Sequence, residues 1–306
     1  MPGIVLHTLL SERALLPWRL RPGTAPFDVL DPVQTTFFFK GSMAPDMGYY
    51  PGGFPRLSAL AHGSRTADLA RELVSTAETD TERAFAWGWV SHVLADVLVH
   101  PCIEVACRPA GDAGEERRET SPDPHIRHLR IELGLDARLI ARDAGSVRRA
   151  WRALGTGPGP AFVSSALHSV HGNQISPADV ARSDLAITRF VPLLLRYTTF
   201  VAAGARVTAA TAPWLPGPGL PPAAAGRPSL AAAAQRAFAA APLPPPPHLL
   251  RFAHRALRAF PALFHHHHET GLARLENRDL DTGLPLPEGF RQIGLAPGDM
   301  EGTRVA

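Results

Sequence analysis

Apolar residues recur three and four positions apart along most of the chain, the spacing of amphipathic helices. Residues 4–16 show it first. Residues 57–77 show it again, with Asp68 and Glu72 on the polar side. Residues 81–100 make the cleanest case, with an acidic first turn, an apolar body and a stop at Pro101. Helix-start residues at 121–124 open a helix over 125–144, and another is predicted over 147–154. A Gly/Pro turn follows at 155–160. Residues 177–210 form the longest helical region, with a kink expected at Pro192. Residues 214–228 are too rich in Pro, Gly and Ala to be regular. A short Ala-rich helix is expected over 231–241, a polyproline connector over 242–247 and a last helix over 248–264. The remainder reads as irregular. Strand patterns are weak, and no Gly-rich phosphate loop or internal repeat is present. The expected fold is therefore all-α, a multi-helix bundle forming one domain over 1–306. Its second half, 155–306, adds further helices, Pro-rich loops and an irregular C-terminal tail.

Composition narrows the function. The 306 residues are 45% apolar, enough for a sizeable core. Two cysteines exclude a disulfide-stapled scaffold. A net charge of +3 excludes nucleic-acid binding by bulk charge, although the pI is near 9.3. At the N-terminus no cluster of positive charge precedes the apolar run, and His7, Ser11, Glu12 and Arg13 interrupt it. That is not the pattern of a signal peptide. No stretch reads as the roughly 20 apolar residues of a membrane span. The nearest, 190–203, contains Pro192 and Arg196. The expected location is cytoplasmic, with contact at a membrane surface left open. The 14 histidines raise the question of metal.

The sharpest local signal is His92, Asp96 and His100, spaced four and four within an apolar helix. On a helix they fall along nearly one face. Burying two imidazoles and a carboxylate is costly unless they are paired or metal-bound. Imidazole nitrogen and carboxylate oxygen are both zinc ligands, and a carboxylate can bridge two ions. The plainer reading is an amphipathic helix with ordinary polar residues. His128 and Glu132 repeat the four-residue step, as do many surface His/Glu pairs. His125, one turn earlier, is read as a supporting or solvent-facing residue. Asp46 lies in a turn-rich segment and reads equally as a cap. His62 and His7, taken singly, read as isolated histidines. Cys102 and Cys107, five apart, read as structural.

Together, the run from His92 to Pro101 and the His128/Glu132 pair resemble the zinc-dependent phospholipase C family, whose fold is shared with the S1/P1 nucleases. The resemblance covers about residues 2–135 and implies an all-helical fold, residues 1–154 forming a core with a cleft for up to three zinc ions. Residue by residue, it implies Asp46, His62, His92 and Asp96 around one zinc. It implies His100, His128 and Glu132 around a second, more exposed one. A third would lie between Asp96 and His7, joined by the amine and carbonyl of Pro2 once Met1 is removed. The four-residue step from Asp96 to His100 is shorter than in the nucleases and short secreted phospholipases. It points to the phospholipase-C-like branch that is widespread in bacteria.

The resemblance further implies phosphodiester hydrolysis, with Asp46 and Asp96 as the catalytic carboxylates. Zinc lowers the pKa of bound water from about 15.7 toward 7. Water at the Asp46/His62 zinc would be the nucleophile, and the exposed zinc would stabilise the departing alkoxide. Three carboxylates against three divalent ions would leave the loaded cleft cationic. The expected substrate is a phospholipid or small phosphodiester, and nucleic acid is disfavoured. The alternatives are a single-strand nuclease and a non-catalytic zinc-binding helical protein. Tyr49, Tyr50 and Phe54 flank Asp46 and read either as a substrate-facing wall or as a loop packed on the core. Phe37 to Phe39 read as core, and His265 to His268 as a solvated helix end.

Overall fold

The computed structural model describes residues 3–107, 124–152, 158–172, 175–203 and 242–285. Among these residues the fold is all-helical, with one isolated bridge between Arg278 and Pro285. The helices are α1 (Ile4–Leu20), α2 (Pro32–Gly41), α3 (Pro55–Gly63), α4 (Thr66–Thr76) and α5 (Asp80–Cys107). They continue with α6 (Pro124–Arg152), α7 (Pro160–His171), α8 (Pro177–Ala202) and α9 (Pro247–Glu269). Pro2, and the expectations for 214–228, 231–241 and the tail beyond 285, lie outside the described residues.

Helix α5 is the axis of the core. It packs against α1, α2, α4, α6 and α9, and its side chains from Ala84 to Asp96 are buried. The expected stop at Pro101 is not observed, since the helix continues to Cys107. A proline removes one backbone donor, and a helix packed on several sides can absorb that loss. Against the expectation that no stretch would do so, α5 is long and apolar enough to cross a membrane by length and composition. Two-thirds of its apolar window, 67%, is buried inside the fold, as in a core helix.

Helix α2 was not anticipated, although its start carries a clear signature. Asp31 caps it by accepting the Val33 N–H at 2.7 Å, and Pro32 occupies the first turn. It lies so close to α5 that two glycines are required. A Cβ on Gly41 would fall 2.0 Å from the Phe85 carbonyl oxygen, and one on Gly88 would fall 2.0 Å from that of Phe38. Phe38 and Phe39 are buried there, as expected. Helix α7 was also missed, though Pro160 opens it and Gly172, at φ +64, closes it.

The single helix expected over 57–77 is two. Ser64 is extended and Arg65 is left-handed at φ 52, which turns the chain between α3 and α4. The two helices expected over 125–144 and 147–154 form one stretch, α6, interrupted at the non-helical Asp143. The four-histidine tract is not a solvated helix end. His265 and His268, three apart on α9, turn their rings onto Trp18 at 5.1 and 5.0 Å, and His267 is buried. That spacing places both on the face that α9 presents to α1.

Candidate metal centre

Five elements bring the ligand-type side chains together. The 3-10 turn Ala44–Asp46, directly after α2, delivers Asp46. Helix α1 delivers His7, and the last turn of α3 delivers His62. Helix α5 delivers His92, Asp96 and His100 from one face, and α6 supplies His128 and Glu132. All are buried except His128, whose side chain is 14% exposed.

Asp96 is the hub. Its Oδ1 lies 3.0 Å from His7 Nε2 and 3.4 Å from His100 Nε2. Its Oδ2 lies 3.0 Å from His92 Nε2 and 3.6 Å from His62 Nε2. Asp46 faces His62 at 3.0 Å and His92 at 4.0 Å. Glu132 Oε1 lies 3.0 Å from His128 Nε2 and 3.6 Å from His100 Nε2. Three sets of donors therefore converge closely enough for one ion each: Asp46, His62 and His92; His7, Asp96 and His100; and His100, His128 and Glu132.

The tautomers suit metal ligation. His62 Nδ1 donates to the Ser58 carbonyl at 2.8 Å, and His92 Nδ1 donates to the Ser42 carbonyl at 2.9 Å. His100 Nδ1 donates to the Asp281 carbonyl at 2.9 Å. A carbonyl oxygen only accepts, so each of these Nδ1 atoms carries the proton. In the neutral ring Nε2 then presents a lone pair. Those lone pairs point at Asp46, Asp96 and Glu132. Among the described residues, neither oxygen of Asp46 or Asp96 receives a hydrogen bond, nor does Glu132 Oε2, and His100 Nε2 makes none. Neutral imidazole and carboxylate repel when lone pair meets lone pair. They become compatible when a cation lies between them or when the ring takes a second proton. Buried orphan acceptors are rare in folded proteins, and nitrogen and oxygen donors at this spacing fit a divalent cation such as zinc.

The electrostatics follow. Burial opposes charge on His62, but Asp46, Asp281 and Asp96 hold its pKa up to about 9. Burial likewise opposes charge on Asp96, yet His92, His100 and His7 hold its carboxyl well below the usual range. For His100 burial wins, and its pKa is lowered despite Asp96 and Glu132. His128 is raised well above the ordinary value against burial, with Glu132 the strongest favourable neighbour.

A family model described as zinc dependent phospholipase C matches residues 7–178, more than half of the chain. The chain belongs to the zinc-dependent phospholipase C family. No curated protein and no solved structure matches it. All eight converging side chains of this phospholipase C family member, from His7 to Glu132, lie within the matched stretch.

Two supporting carboxylates escaped the sequence reading. Glu104, one turn beyond His100 on α5, accepts from His128 Nδ1 at 3.0 Å. The side chain of His125 lies outside the described residues. Asp136, one turn beyond Glu132, accepts the Val5 and Leu6 N–H groups at 3.0 and 3.1 Å and so caps the start of α1. Both follow the four-residue step that marked the ligands, so the pattern was legible but its use was not. Beside the centre, Tyr49 is buried with its ring 5.3 Å from that of His62. Tyr50 is buried against Phe190. Phe54 is half-buried beneath the Arg182 guanidinium.

Proposed function

We propose that this protein is a zinc-dependent phosphodiester hydrolase of the phospholipase C type. The observation that carries the reading is the buried Asp96 carboxylate, whose two oxygens face four imidazole nitrogens and receive no hydrogen bond from the described residues. Zinc held there would acidify a bound water toward pH 7 and neutralise charge on a phosphate ester.

The chain's own residues divide the work. Asp46, His62 and His92 would hold one ion in the most enclosed part of the cluster, with Asp96 beside it. His128 and Glu132 would hold another nearer to solvent. His100 has a single free nitrogen, because Asp281 occupies the other. One lone pair serves one ion, so His100 cannot complete both of its groups at once. We assign it to His128 and Glu132. Asp96 would then serve the neighbouring ions, and His7 with Asp96 would need the amine and carbonyl of Pro2 to complete a third site. Asp46 and Asp96 carry catalysis by holding the charge that orients water. Tyr49 and Phe54 wall the approach, while Tyr50 backs the wall. The substrate is a phospholipid or small phosphodiester met at a membrane surface or in solution.

The test is turnover of a nitrophenyl phosphocholine diester and of short-chain phosphatidylcholine, with and without chelator. Zinc-dependent release of the phosphoryl alcohol is expected. Release of nucleotides from single-stranded DNA instead would make the protein a nuclease. Bound zinc with no turnover on any phosphoester would make it a non-catalytic metal protein.

A further inference from the structure

Each buried imidazole that faces the carboxylates from α3 or α5 has its Nδ1 proton fixed by a backbone carbonyl. For His62 and His92 that carbonyl comes from within the matched family stretch, at Ser58 and Ser42. For His100 it comes from Asp281, more than a hundred residues beyond that stretch.

Asp281 sits in a strap, residues 276–285, which follows α9 and lies across the cluster. The strap is anchored at both ends of the α3–α4 turn. Asn277 Oδ1 accepts the Ala67 and Asp68 N–H groups at 2.8 and 3.1 Å and caps α4. Thr66 Oγ1 donates to the Arg278 carbonyl and accepts from the Arg278 N–H, both at 3.0 Å. Leu280 is fully buried and donates its N–H to the carbonyl of His62 itself at 2.9 Å. The chain then turns back, with Gly283 N–H on the Asp279 carbonyl at 2.7 Å and Thr282 N–H on Asp279 Oδ1 at 3.1 Å.

The turn closes on a glycine for two reasons. Gly283 has φ +69, a conformation that costs a residue with a Cβ. A Cβ there would also lie 2.5 Å from the Pro101 ring and 3.1 Å from the Asp96 carbonyl oxygen. Only a bare backbone lets the strap press against α5 where Asp96 and His100 emerge.

We infer that the strap, through the Asp281 carbonyl and the Gly283 turn, is the positioning element that fixes His100 as a metal ligand. This rests on the metal reading above. Asp281 and Gly283 are positioning residues: one holds the Nδ1 proton, and the other allows the approach. The Nε2 lone pair is thereby aimed into the cluster, as second-sphere partners of metal-bound histidines do.

The experiment compares wild type, Gly283→Ala and Asp281→Ala in the full chain. Zinc affinity is measured against a competing chelator, and the His100 ring is followed by imidazole 1H–15N correlation. Gly283→Ala is expected to weaken the His100/His128/Glu132 ion by about 10- to 100-fold. It should leave the Asp46/His62/His92 ion in place and lose the His100 Nδ1–H signal. Asp281→Ala keeps the carbonyl and should match wild type at the His100/His128/Glu132 ion and in the His100 Nδ1–H signal. Wild-type affinity and an unchanged His100 signal in Gly283→Ala would overturn the inference. Should that variant not fold, Leu280→Ala loosens the strap without straining the turn. A smaller loss at the same ion is expected there, and no loss would overturn the proposal. If wild type binds no zinc, the metal reading fails, while the His100 signal still decides whether the strap holds the ring.

Discussion

His7 Nε2 lies 3.0 Å from Asp96 Oδ1, joining the first turn of α1 to the middle of α5. These residues are 89 positions apart by their numbers, and the contact ties α1 to a fully buried carboxylate. Among the described residues, Asp96 is the one acid that reaches His7, His62, His92 and His100 together. Asp96→Asn is therefore expected to lower phosphodiester turnover by more than about 100-fold and to reduce bound zinc. Initial rates and metal content on the same sample check this. A variant with full activity would remove Asp96 from the mechanism.

The α2–α5 contact should be sensitive to a single methyl group. Gly88→Ala drives a Cβ into the Phe38 carbonyl, where no flexible side chain can yield. A loss of about 1–3 kcal/mol is expected, read as a lower denaturation midpoint. Since α2 also carries Ser42 to His92, zinc affinity should fall with it.

Glu104→Gln should act at one ion only. Its carboxylate holds His128 Nδ1 at 3.0 Å and is absent from the other two groups. The expected result is about 10- to 100-fold weaker binding at the His128 ion, with the most enclosed ion unaffected. A titration with competing chelator separates the two.

Asp136 gives a pH dependence with a defined sign. Burial pushes its carboxyl up to about 8, against the α1 amides of Val5, Leu6 and Ile4, which favour ionisation. An unfolded aspartate sits near ~3.9. Between those values the folded state keeps a proton that the unfolded state releases, so this group's contribution to stability falls as pH rises from about 4 to about 8. Asp136→Asn removes that titration. It also turns a donor toward one amide, at about 1–3 kcal/mol. Melting temperatures across this range should show a lower but flatter profile than wild type.

Much of this was legible because helices write their contacts at fixed spacing. His92, Asp96 and His100 announced one face of α5, and His128 and Glu132 announced one face of α6. The all-helical fold followed from the same periodicity. What stayed hidden depends on the chain meeting itself. The α2–α5 approach needs glycines from both helices, and neither is conspicuous alone. The break at Arg65 is a backbone conformation with no side-chain signature. The Asp281 carbonyl belongs to every residue type equally, so no pattern could single it out. Pro101 misled because the rule that ends helices at proline applies to exposed ones. The histidine tract misled because its length drew attention away from its three-residue step onto Trp18.

Metal analysis of the purified, unchelated protein addresses the central claim most directly. Two or three zinc ions per chain are expected, two in the tighter groups and a third between His7 and Asp96. Fewer than two would contradict the account.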